Sequence, residues 1–386
     1  MSRIQCRAAV AVALLVVVAA AGCGDDDGPS ADDQQEVVEH YAAGVHAAYE
    51  AALASATEMA AAIDAFVADP TDETLEAAKQ AWLAARDDYG LTEAFRFYGG
   101  PIDNEETGPE GRINAWPLDE AYVDYVDGDD TAGIVNDVET YPTIDAELIS
   151  SLNEQGGEAN ISTGWHAIEF LLWGQDLSAD GPGARPVTDY TEAPNADRRA
   201  TYLLAASDQL IADLTSMVAA WAPEADNYRA TFVAEEPADS LAKIVTGIGE
   251  LTRGELAGER MNVAYTERSQ EDEHSCFSDN TTADLLANEL GIRMVITGAF
   301  PGLDGPGLIT LFESADGDAA EQLTSSVDGA VSALEAIPAP FDAHLADGVP
   351  DDDPGRASVL AGIEALDVQA DRIVDAADAI GLTIEV

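Results

Sequence analysis

The sequence predicts an all-α protein of two helical bundle-like domains with little or no strand, on three observations. Apolar residues recur at helical spacing through both halves of the chain, Gly and Pro punctuate these runs, and segments alternating apolar with polar side chains are nearly absent. The chain has 386 residues, beyond the ~250 to 300 at which a single hydrophobic core stops growing. Two domains follow, residues 32–222 and 223–386.

Residues 1–22 read as a targeting signal. Arg3 and Arg7 form a basic start, Ala8 to Ala21 an apolar run too short to span a bilayer, and Ala20-Ala21-Gly22-Cys23 a small-residue cleavage site. The pattern resembles a bacterial lipoprotein signal, in which Cys23 becomes the first mature residue and carries the lipid; ordinary secretion is the alternative. Residues 23–31 form a flexible acidic tether around Asp25-Asp26-Asp27, a composition that cannot pack. Once Cys6 is removed and Cys23 lipidated, Cys276 stands alone and no disulfide framework is available.

In the first bundle, Val38, Tyr41, Val45, Tyr49, Met59, Ile63 and Phe66 define a long amphipathic helix over 32–68, which Asp69-Pro70 ends. Leu75, Ala78, Trp82, Ala85 and Tyr89 define a second, broken at Gly99-Gly100-Pro101, and the pair should form an antiparallel hairpin. A long irregular connection over 99–128 still carries Trp116, Leu118, Tyr122 and Tyr125; such loops are more often functional than idle. It also carries Arg112 and Glu120. After the His166 helix, Leu203, Leu210, Leu214, Met217 and Trp221 mark a helix over 195–221. In the second bundle helices are expected over 237–265, 281–299, 316–336 and 355–379.

The stretch Gly164-Trp165-His166-Ala167-Ile168-Glu169-Phe170-Leu171-Leu172-Trp173-Gly174 is a short helix of large apolar side chains, begun at Ser162 or Thr163 and stopped by Gly174. It must be buried. His166 and Glu169, three apart, share one helix face, and polar groups buried without partners cost on the order of several kcal/mol. Either they form a hydrogen-bonded pair closed by a Ser, an Arg or a carbonyl, or they converge on a metal, like the Glu-x-x-His pairs of carboxylate bundles in reverse order. Residues 270–280 gather His274, Cys276 and the acids Glu271, Asp272, Glu273 and Asp279. That mixture suits a metal but matches no defined zinc or calcium loop, and a helix start at Ser278 or Asn280 behind solvated acids explains it equally. His274 and Cys276, two apart in one loop, are poorly placed to act as a Cys-His nucleophile pair.

Acidic residues number 74 against 17 basic ones, a net charge of -57. This excludes nucleic acid and anionic membrane surfaces as partners and makes cations the natural counter-species.

Gly164-Trp165-His166-Ala167-Ile168-Glu169 fits the GxHxxE signature of the imelysin family. The segments 111–120, 170–176, 181–186, 254–261 and 271–280 are similar to its iron-regulated protein A branch, so the resemblance covers residues 36–386. It implies two helical bundles related by a pseudo-twofold axis, export to the cell envelope, and a place in iron acquisition beside an iron-uptake permease or outer-membrane partner. Insulin-cleaving members gave the family a peptidase classification. Here, however, Ala167 stands where the zincin motif requires its Glu, and Phe170 where both the zincin and inverzincin motifs require their second His.

The expected function is therefore an envelope-anchored lipoprotein that binds iron, or else zinc or manganese, for uptake. His166 and Glu169 would be metal ligands, completed from Glu120, Glu259 and His274, with Arg112, Arg260 and Cys276 nearby and no catalytic residue. The alternatives are a metal-dependent peptidase and an envelope binding or scaffold protein without metal.

Overall fold

Ser30 caps the first helix, its hydroxyl accepting from the Asp33 amide while the Asp33 carboxylate returns the bond, and the apolar spacing beyond it becomes one helix, Ala31–Ala68. Thr71 and Thr74 start Asp72–Gly90 in the same reciprocal way. These helices pack on each other as the expected hairpin, and the first also lies against Ala196–Trp221 and Pro237–Glu250. The hydrophobic core thus runs unbroken through both halves of the chain. The computed structural model describes residues 28–178 and 181–384; Cys23 and the signal lie outside them. Helix makes up 66% of the described residues, which also form two strands of two residues each.

Those strands, Ala299–Phe300 and Leu303–Asp304, pair antiparallel as a small hairpin where the sequence predicts only the end of a helix. Its Phe300 ring sits where Gly44 leaves room: a Cβ on Gly44 would lie 2.3 Å from the ring. The hairpin is followed by a short helix, Leu308–Ala315, which periodicity alone does not separate from its neighbour Gly317–Glu335.

The larger departure lies within 237–267. The expected continuous α-helix turns into a π-helix over Leu251–Val263 before one closing α-turn, Ala264–Glu267. Spacing explains it. Leu251, Leu256 and Met261 recur every five residues and all are buried, which suits i→i+5 turns and not 3.6-residue ones. Glu259 falls between these positions and is exposed, while its neighbour Arg260 is buried.

One buried acid supplies a test of the core. Glu289, on the helix Thr281–Thr297, is fully buried and accepts from Gln369 Nε2 at 3.0 Å. Burial pushes its pKa up to about 8. Between the ordinary carboxylate value and that figure the native state holds a proton the unfolded state has lost, so Glu289 erodes stability as pH rises through this window. Glu289→Gln should therefore gain stability over the parent by on the order of 1 kcal/mol per pH unit from about pH 5 to 8. Urea unfolding at several pH values measures this; a pH-independent difference would show that Glu289 is ionised in the native state.

Candidate functional site

The helix Gly164–Trp173 is buried at all ten positions. Gly164 begins it at φ +81°, and a Cβ there would lie 2.4 Å from the Ile113 carbonyl oxygen and 2.6 Å from that of Arg112; only glycine permits this approach. Thr163 turns its hydroxyl to the Arg112 carbonyl instead of capping the helix, and Arg112 itself pairs with Asp213. At the other end the carbonyls of Phe170, Leu171 and Trp173 accept from the Arg185 guanidinium, the Tyr190 hydroxyl and the Arg185 amide. Arg185 and Arg199 both pair with the buried Asp124. The last carbonyls of a helix that water cannot reach are thereby satisfied by protein groups.

His166 and Glu169 face the second half of the chain. His166 Nδ1 lies 2.8 Å from Glu169 Oε2, and the other carboxylate oxygen accepts from the Ser278 amide and hydroxyl at 2.9 and 2.6 Å. The His274 ring stands 4.9 Å from that of His166, at 75°, and the Trp116 ring also packs edge-on against His274 at 5.3 Å. His274 Nδ1 meets Asp284 at 3.1 Å, and Asp284 also accepts from Ser275 and from both Arg86 Nε and NH2. The Arg86 guanidinium lies against the rings of Trp82, Tyr89 and Trp165.

Burial, reinforced by the Arg86 charge, pushes His166 down to about 3; burial and then the Arg260 charge do the same to His274. Both imidazoles are neutral near pH 7. Burial opposes ionisation of Asp284 as well, but the Arg86 charge overrides it and holds this acid below the usual carboxylate range. An ionised carboxylate can only accept, so the His274 proton sits on Nδ1 and Nε2 presents a lone pair. Burial lifts Glu169 to about 8 against the pull of Ser278. Once Glu169 is ionised it can only accept, which puts the His166 proton on Nδ1, and His166 then presents the same arrangement. Neither Nε2 atom has a hydrogen-bond partner.

Of the residues the sequence singles out, His166, Glu169 and His274 come together. Glu169 stands behind His166, with both oxygens engaged, and does not lie beside it. Glu120, half-buried at the start of a one-turn helix, accepts from Gln175 at 3.4 Å. Glu259 is exposed, for the reason of helical register given above, and so does not join the buried group. Arg260 is buried and bonds Glu93, Glu255 and Asn288. Cys276 packs half-buried against the core.

Arg86 and Asp284 escape the sequence reading. Arg86 follows Trp82 by four residues on the buried face of its helix, and Thr281, Asp284 and Asn288 form a polar stripe at helical spacing; inward-facing stripes of this kind are the signal that could have found them. Arg86→Met should lower unfolding free energy by roughly 3 to 5 kcal/mol, because it strands a buried carboxylate, and adding Asp284→Asn should recover part of the loss. Urea titration of both variants checks this; an unchanged midpoint in the single variant would mean that Asn280 and Ser275 suffice for Asp284.

Comparison with known proteins places this geometry. The imelysin family model matches residues 45–373. Iron-regulated protein A of Synechococcus elongatus is 26% identical over 335 residues, covering 84% of this chain and 80% of that protein. Among solved structures, one described as an iron-regulated protein A precursor from Parabacteroides distasonis superposes with a TM-score of 0.71 at 17% identity, covering 92% of this chain and 97% of that one. An imelysin-like protein from Psychrobacter arcticum superposes with a TM-score of 0.65 at 14% identity, covering 93% and 98%. These two likenesses establish the shared all-helical fold, and the family match over most of its length means that the chain belongs to the imelysin family.

Proposed function

We propose that this chain is an envelope-anchored lipoprotein that binds iron or another divalent metal in the service of metal uptake. The observation that carries the proposal is the pair of buried imidazoles, His166 and His274, each held at Nδ1 by a carboxylate and each with Nε2 unpartnered. A carboxylate behind an imidazole fixes its orientation and raises its basicity, which is how proteins prepare a metal-binding histidine. Two neutral imidazoles suit Fe²⁺, Zn²⁺ or Mn²⁺; copper(I) prefers sulfur.

Two protein nitrogens leave coordination positions for water or for an anion that travels with the metal. Such a partly filled sphere favours exchange of a cargo over permanent retention. The relatives named for iron regulation point to iron, and the charge of -57 draws cations to the surface. A peptidase role, which the family's history suggests, has less support. Glu169, the acid nearest His166, already accepts from Ser278 and His166 and is poorly placed to activate water as well.

His166→Ala and His274→Ala should each lower affinity for Fe²⁺ or Zn²⁺ by roughly tenfold or more, and Glu169→Gln by about 10- to 100-fold through misorientation of His166, with the helical spectrum intact. Calorimetric titration decides this: parent-like affinity in all three variants would make the cluster a structural pair of buried histidines. Chelator-sensitive hydrolysis of an unfolded polypeptide, lost in His166→Ala, would instead favour the peptidase. The anchor has its own check. Mass spectrometry of the membrane fraction should find mature chains beginning at a lipidated Cys23, and an unmodified Cys23 would refute it.

A further inference from the structure

A second group of ionisable side chains lies on the far side of the loop that carries His274. Glu273, Asp279 and Asp342 each offer a carboxylate oxygen, and these oxygens all lie within 4.8 Å of one another. Glu273 and Asp342 are buried, at 2% and 3% exposure, and Asp279 is half-buried. Glu273 is the informative member: neither of its oxygens has a donor in hydrogen-bonding geometry. A carboxylate so deeply buried, converging with two others and left without donors, costs on the order of several kcal/mol unless it is protonated or meets a cation.

The surroundings make the strain worse. Burial and the Asp342 charge both oppose ionisation of Glu273, and the nearby Thr281 hydroxyl, which accepts from the Ser275 amide and does not reach hydrogen-bonding geometry with Glu273, offsets only part of this. Burial and Asp342 likewise lift Asp279 to about 7, with Asp176 contributing. Asp176 is itself engaged by Gln270 and by the Ser178 amide.

We propose that Glu273, Asp279 and Asp342 form an all-oxygen cation site of the calcium class, which pins the loop bearing His274 and Ser278 to the 3₁₀ turn Asp342–His344 of the C-terminal half. The donor set is hard and contains neither imidazole nor thiolate, which favours calcium over iron, zinc or copper. The spacing agrees. Calcium–oxygen distances of about 2.3 to 2.6 Å put oxygens on opposite sides of one ion roughly 4.6 to 5.2 Å apart and adjacent ones closer, so three oxygens within 4.8 Å of one another can all reach a single calcium ion. Asp279, the half-buried member, is the side from which an ion enters and on which water completes the sphere. Glu273 adjoins His274, and Asp279 adjoins Ser278, the residue that holds Glu169. Calcium here therefore orders the loop that completes the imidazole pair without sharing a residue with it. The site stands independently of the function proposed above.

The test uses the mature chain, stripped with chelator, in moderate salt that screens diffuse surface binding. Calcium should bind in calorimetry at one saturable site and raise the thermal midpoint. Glu273→Gln and Asp342→Asn should each weaken calcium binding roughly tenfold or more. Because Glu273→Gln also removes an unpaired buried acid, its calcium-free form should melt higher than the calcium-free parent while losing the calcium response. Asp279→Asn, at a half-buried position that tolerates change, should lose the response with the stripped fold unaltered. His166→Ala should keep the calcium response whatever becomes of its iron or zinc binding, so the two sites fail separately. Absence of a calcium-dependent shift in the parent, survival of the shift in Glu273→Gln, or its equal loss in the exposed control Glu321→Gln would each overturn the proposal.

Discussion

The contact on which the rest of the site depends is the ion pair of Arg86 with Asp284. Both side chains are about 1% exposed and they lie 198 residues apart in the chain. A pair this deep gains little from attraction alone, since desolvation offsets much of it, and it persists only when the remaining polar atoms also find partners. Here they do: Asn114 takes another Arg86 nitrogen, three aromatic rings surround the guanidinium, and Asp284 accepts further from Ser275, Asn280 and His274. The consequence reaches the chemistry. Because Arg86 keeps Asp284 ionised, His274 has one permitted tautomer, and its outward nitrogen is a lone pair rather than a donor.

The same logic of satisfaction runs along the helix Gly164–Trp173. Its first turn is pressed against the Arg112 and Ile113 carbonyls, its last carbonyls are met by Arg185 and Tyr190, and its one acid is answered by Ser278 from the second half of the chain. A helix fixed at both ends and at its middle has little freedom to re-aim His166. The arrangement leaves the two Nε2 atoms without partners, and a site prepared in this way loses little conformational freedom when a ligand arrives.

Two kinds of donor set lie back to back across one loop. On one side neutral imidazoles supply nitrogen; on the other, carboxylates supply oxygen. The residues 273–279 alternate between them, with His274 and Ser278 turned toward the central helix and Glu273 and Asp279 toward Asp342. Glu273 and His274, like Ser278 and Asp279, are neighbours in the chain yet join different groups, so the two donor sets share no residue.

The sequence by itself determined the all-helical fold, the long helices to within a few residues, the burial of Gly164–Trp173, and the placing of His166 and Glu169 on one helix face. All of these rest on local spacing and local propensity, which a linear chain displays openly. His274 too was visible, as a histidine in a chemically dense segment. Only the tertiary structure decided that Glu169 stands behind His166 because Ser278 claims its other oxygen, that Glu259 points to solvent because the five-residue spacing of Leu251, Leu256 and Met261 selects a π-helix, and that Arg86 governs the site through Asp284. Each of these depends on contacts between segments far apart in the chain, or on a helical register fixed by packing. A buried charge carries no mark in the sequence of the partner that makes its burial tolerable.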